Sequence, residues 1–100
     1  MIVSFDAELW IWDARRTETW VFVNLPAEVA EDIRDLDSGP RRGFGSVRVR
    51  VTIGGSTWRT SIFPSSADNT YVLPVKRAVR DKEGLDVGDT AAVTLELVDF

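Results

Sequence analysis

Five arginines, Arg41, Arg42, Arg48, Arg50 and Arg59, lie between Gly39 and Ala67 without a single acid among them. Residues 1 to 38 show the opposite balance, nine acids against three basic residues. A guanidinium is a planar fork of donors that matches phosphate or carboxylate oxygens two at a time. The chemistry on offer is therefore anion binding by Arg48, Arg50 and Arg59 with the Ser61 hydroxyl, supported by Arg41 and Arg42. The competing reading is structural: each arginine faces a carboxylate on a neighbouring strand, with Asp6, Glu8 and Glu96 as the available partners. Gly43-Phe44-Gly45 beside Arg41-Arg42 has the look of a phosphate loop. It lies after a helix and before a strand, however, and lacks the third glycine of a dinucleotide motif, so a turn explains it better.

Four tryptophans are many for 100 residues. Trp10, Trp12 and Trp20 share one phase and form a candidate aromatic wall, whereas alternation assigns Trp58 to the core beside Val51. The wall is either a packing layer under a helix or the side of a ligand cleft. Catalysis has little to work with. The chain has no His and no Cys, which removes the usual general base, the thiol nucleophile and the common metal ligands. Asp86 and Asp89 flank Val87-Gly88, where short carboxylates bond nearby backbone N–H groups in turns. No nucleophile and base can be paired, so neither enzyme activity nor a metal or cofactor is expected.

Strands must position these groups. Val3, Phe5, Ala7, Leu9 and Ile11 alternate with polar or bulky residues, the period-2 pattern of a strand with one buried face. Asp13-Ala14-Arg15-Arg16 turns the chain into a second strand, Trp20 to Leu25. Pro26 stops it and opens a helix with Val29, Ile33 and Leu36 on one stripe, ended by Ser38-Gly39-Pro40. The strongest local signal is a hairpin. Val47, Val49, Val51 and Ile53 alternate with Arg48, Arg50 and Thr52, and Gly54-Gly55 supplies a two-residue turn with both glycines at positive φ. Counting outward pairs Ile53 with Ser56, Val51 with Trp58, Arg50 with Arg59 and Arg48 with Ser61. Two arginines directly opposite each other repel unless something negative lies close by. After the loop from Ser65 to Asn69 come a short strand, Tyr71 to Leu73, and a second helix opened by Pro74 and closed by Gly84. A last strand buries Val93, Leu95 and Leu97.

This makes a mainly β fold of six strands and two short helices in a single domain spanning residues 1–100. Val23-Asn24-Leu25-Pro26 and Tyr71-Val72-Leu73-Pro74 superpose on a shift of 48 residues, which also lays Ala30 on Ala78. The order strand, strand, helix, strand then occurs twice. Two such ββαβ halves about a pseudo-twofold axis would close one six-stranded double-split barrel; the simpler account is that Leu-Pro is common punctuation before helices.

Leu73-Pro74-Val75-Lys76-Arg77-Ala78-Val79-Arg80 with Gly84, Leu85 and Gly88-Asp89 resembles the swapped-hairpin barrels of AbrB-like regulators. A wider resemblance rests on Trp20-Val21-Phe22-Val23, Leu25-Pro26, Ile53-Gly54-Gly55, Trp58 to Pro64 and Leu73-Pro74-Val75-Lys76. Those segments look like the bacterial domain-of-unknown-function family nineteen-oh-five. The resemblance implies a small double-split barrel made from one chain, and it implies no activity.

With 44% hydrophobic residues the composition is that of one small globular domain with one core. No apolar run is long enough for a membrane helix and no basic leader opens the chain, so a cytoplasmic domain without membrane contact is expected. A net charge of −4 argues against a nucleic-acid partner. The leading expectation is a binding or interaction module for an anionic small molecule or a protein partner. Its rival is an AbrB-like nucleic-acid-binding or regulatory domain, kept in play by the arginine segment.

Overall fold

Val47, Val49, Val51 and Ile53 alternate up to Gly54-Gly55, and the strand that follows this turn pairs back on them at the centre of the molecule. In the computed structural model, which describes residues 2–12, 20–36, 46–65 and 70–98, β4 (Val47–Ile53) and β5 (Ser56–Ser65) form that antiparallel hairpin. Its register has Ile53 opposite Ser56, Val51 opposite Trp58, Arg50 opposite Arg59 and Arg48 opposite Ser61, as alternation requires. Of the two turn glycines only Gly54 takes positive φ, +57°. The expectation of two such glycines is corrected: one positive φ at the first central position is what a type II′ turn needs.

Around the hairpin lie β1 (Ile2–Glu8), β2 (Trp10–Trp12), β3 (Trp20–Asn24), β6 (Thr70–Pro74) and β7 (Thr90–Leu97). The strands form one curled antiparallel sheet in the order β1-β7-β4-β5-β6-β3-β2. Seven strands thus replace the six expected, and the reason is Leu9. Its N–H donates to the Asp89 carbonyl at 2.9 Å and its carbonyl accepts from Gly88 N–H at 2.8 Å. The backbone spends these groups on a loop, so the first long strand divides there. β1 then pairs with β7, and β2 pairs with β3.

Two helices complete the chain, α1 (Ala27–Leu36) and α2 (Arg77–Glu83). Pro26 offers the first helical carbonyl, accepting from Ala30 N–H at 3.0 Å, and Ala30 and Ile33 are buried with Val29 half-buried. Pro74 behaves differently from expectation. It completes β6 opposite Phe22, and α2 starts later, where the Lys76 carbonyl accepts from both Val79 and Arg80 N–H. Val79, not Ala78, is therefore the buried residue matching Ala30. Gly84 ends α2 in the left-handed conformation at φ 66°.

The core lies inside the curl. Leu9, Val23, Ile33, Val49, Val51, Ile62, Leu73 and Leu95 are fully buried, and Val93 and Leu97 join them. Among the described residues no helix is long and apolar enough to cross a membrane. The expected turns at 13–16, 38–40 and 43–45 lie outside the described residues, as do Arg41 and Arg42.

Candidate functional site

The outward side chains of β4 and β5 carry the arginines, and their strand neighbours decide what each can do. β7 lies beside β4 with Glu96 opposite Arg50. Arg50 Nη1 stands 3.2 Å from Glu96 Oε1, with the two side chains 44% and 36% exposed. Such an exposed pair contributes about 0–1 kcal/mol. It answers the Arg50–Arg59 repulsion across the hairpin and gives Arg50 a carboxylate partner. Arg48, Arg59 and Ser61 do converge, lining a hollow of about 250 Å³ with Val49, Thr60 and Val98.

Arg59 also reaches a second and larger groove, of about 520 Å³, where β5 meets the start of α2. Val21, Thr60, Pro74 and Val75 form part of its lining, with Trp20 and Trp58 contributing indole surface. Among the described residues its charged lining is Arg59, Lys76, Arg77 and Arg80, four cations and no carboxylate. The Lys76 ammonium stands 6.0 Å from the Trp58 ring centroid, within cation–π range. Arg80 Nε donates to the Val75 carbonyl at 3.2 Å, which anchors the near side of its guanidinium. Arg77 meets Asp81 one helical turn on at 3.8 Å, a loose, exposed pair. Among the described residues Arg59, Lys76 and Arg80 have no carboxylate partner.

The aromatic wall begins at this groove. Trp20 is 51% exposed and stacks on Phe22 at 6.3 Å, and Phe22 meets Trp10 at 5.2 Å. The Trp10 indole N–H is satisfied by the Asn24 side-chain oxygen at 2.9 Å. Cross-strand pairing explains the row, since Trp10 faces Phe22 and Trp12 faces Trp20 in the β2–β3 ladder. The Trp12 side chain lies outside the described residues. Trp58 keeps its expected place opposite Val51 but is only half-buried, with part of it turned into the groove.

At the far end of α2, Glu83 fastens the helix to the hairpin. Its carboxylate accepts from the Ser56 hydroxyl at 2.7 Å and from Gly55 N–H at 3.3 Å. Those two bonds, the Ser56 hydroxyl foremost, hold its pKa below the ordinary carboxylate value. A Cβ on Gly54 would fall on the same carboxylate. Asp86 and Asp89 are turn residues: Asp89 accepts from Asp86 N–H at 2.8 Å through its side chain and donates its own N–H to Asp86 at 2.9 Å. Among the described residues no three acids gather as metal ligands.

Sequence reasoning missed Lys76, Arg77 and Arg80 as site residues, and Glu83 altogether. A signal for the first three existed. Between Lys76 and Lys82 four cations face one acid, but the stretch lies beyond the acid-free segment from Gly39 to Ala67. Nothing local could mark Glu83, whose partners are 27 and 28 residues away.

With groove and sheet in place, the wider resemblance finds its counterpart. The model of a family described as "Domain of unknown function (DUF1905)" matches residues 5–95, and the chain belongs to that family. No curated protein matches it.

Proposed function

We propose that this chain is a non-catalytic binding module, a double-split barrel of two ββαβ repeats that takes an anionic group between β5 and α2. The barrel reading is supported by two segments that each change partner midway. β5 pairs with β4 along Ser56 to Ile62 and with β6 along Phe63 to Ser65. The stretch through Leu9 does the same with β7 and then β3. The 48-residue shift carries the β3–β6 ladder onto itself, because Asn24 stands opposite Val72.

The observation that carries the function is the lining of the groove. Among the described residues four cations and two indoles line this space with no carboxylate in the lining, and Arg59, Lys76 and Arg80, which have no carboxylate partner there, repel one another until an anion arrives. Among the described residues Thr60 is the one hydroxyl in that lining, with no carboxylate there to act as its base, which favours binding over chemistry. A ligand that binds only the folded state raises its stability by RT ln(1 + [L]/Kd), about 1.4 kcal/mol at tenfold excess over Kd. Phosphate or citrate is expected to raise the melting temperature of the wild type by several degrees, and that of an Arg59→Ala, Arg80→Ala double variant far less. Salting-out stabilisation would appear equally in both proteins, so equal shifts would remove the proposal. Tight duplex binding that falls steeply with salt would favour the nucleic-acid alternative instead.

A further inference from the structure

The groove holds side chains from both phases of β5, Trp58 and Thr60 on one and Arg59 on the other. Successive side chains of a strand point to opposite faces, so a groove touching both phases lies along the edge of the strand. That edge is open. Residues 56–62 of β5 pair with β4 on one side, and only Phe63 to Ser65 pair with β6 on the other. The two-residue turn makes Ile53 and Ser56 a hydrogen-bonded pair, and alternation from there points Trp58 and Thr60 at β4. The N–H and C=O groups of Thr57, Arg59 and Ser61 then face away from β4, towards the open side. Among the described residues no backbone group hydrogen-bonds to Arg59 from that side. Phe63 and Ser65, next in the same phase, are where β6 takes up the pairing.

An unpaired edge is a template for another strand, and charge beside it selects which strand. We infer that the ligand of the groove is an extended acidic peptide segment that adds to β5 as a strand along Thr57 to Ser61. The inference rests on the anion-binding reading and narrows it to a ligand class. A residue of the added strand opposite Arg59 lies on the Arg59 face and is best acidic. Its neighbours opposite Trp58 and Thr60 lie on the indole side and are best apolar. The favoured pattern is alternation of acid and β-branched residue, with Arg80 and Lys76 serving further carboxylates at the mouth. The same cations act as guards against uncharged or basic strands, which would leave them desolvated and unpaired.

The test uses a blocked hexapeptide of alternating valine and glutamate. Its comparison peptide has the same sequence, N-methylated at alternate residues along its pairing edge. The expected result is binding of the first peptide with slowed exchange of the Arg59 and Ser61 amide protons. The second should bind about threefold to tenfold more weakly for each backbone hydrogen bond it forfeits. Equal binding of the two peptides without amide protection would overturn strand addition while leaving the anion site standing. Binding of phosphate or citrate but of neither peptide would overturn it as well. If none of these probes binds, the anion-binding reading falls and this inference with it. An Arg59→Gln variant that retains amide protection but binds more weakly would assign the charge to selection and the backbone to docking, as inferred.

Discussion

The two helices occupy corresponding places, each following a Leu-Pro step, and they have opposite chemistry. α1 carries Glu28, Glu31, Asp32 and Asp35 against Arg34 alone, and all five are exposed. The segment from Lys76 to Glu83 carries four cations against two acids. Their attachments differ too. α1 buries Ala30 and Ile33 beside β6, and its Arg34 guanidinium stands 5.9 Å from the Tyr71 ring centroid. α2 buries only Val79 and is held at its end by Glu83 on the hairpin turn. One topology thus supports an acidic corner and a basic one. Burial fixes where a helix sits, while the exposed residues remain free to set what that corner attracts.

The comparison breaks most severely at Gly54. Gly54→Val forces a β-branched residue into positive φ and drives its side chain into the Glu83 carboxylate. The expected loss is about 2–4 kcal/mol in denaturant unfolding, with Gly55→Ala much milder because Gly55 has no positive φ. A Gly54→Val protein as stable as wild type would show that α2 is not tied to this turn.

A smaller effect is expected from Glu83→Gln, and it should depend on pH. The folded state holds the Glu83 pKa below its ordinary value, so the unfolded chain binds the proton more readily. Stability from this group is fully present above the unfolded pKa of about 4.3 and is lost as pH falls through the lower folded value. The wild-type advantage over Glu83→Gln should therefore be constant near neutrality and fade in the acid range. A difference independent of pH from 7 down to 2 would remove the carboxylate from the account.

The smallest effect sharpens the contrast from the other side. Glu31→Gln with Asp35→Asn on α1 should change stability by no more than about 0.5 kcal/mol, as exposed substitutions do. It should leave anion-induced stabilisation intact. Loss of that stabilisation in a thermal-shift titration would show that the acidic corner takes part in binding.

How much of this was legible in the sequence follows from how far each interaction reaches. The hairpin register could be read from Gly54-Gly55 and the alternating valines because turn and pattern lie within about twenty residues. Arg50 was recognisably in need of an acid, and Glu96 stood among the candidates. Choosing it required β7 to lie beside β4, which no local pattern states. The division at Leu9 was illegible for the same reason, since its hydrogen-bond partners are Gly88 and Asp89. Pro74 misled by analogy with Pro26: the Phe22 pairing holds it in β6. The groove draws Trp20, Arg59 and Arg80 from three separate stretches of chain, so composition could show the cations but not where they gather.

The pairing of β1 with β7 carries a consequence for how the molecule comes to be made. Ile2 stands opposite Glu96 and Ser4 opposite Thr94, with a side-chain hydrogen bond of 3.0 Å between the latter two. On a ribosome the first strand emerges long before its partner exists, while the β4–β5 hairpin is able to form from neighbouring residues. Closing a loop of some ninety residues costs more chain entropy than closing the hairpin, and contacts so distant slow folding. The pairing of β1 accordingly has to wait until β7 has been made. Until β7 is synthesised, the side of β4 that it will cover stays open, and a nascent chain offers there the kind of unpaired edge that chaperones shield.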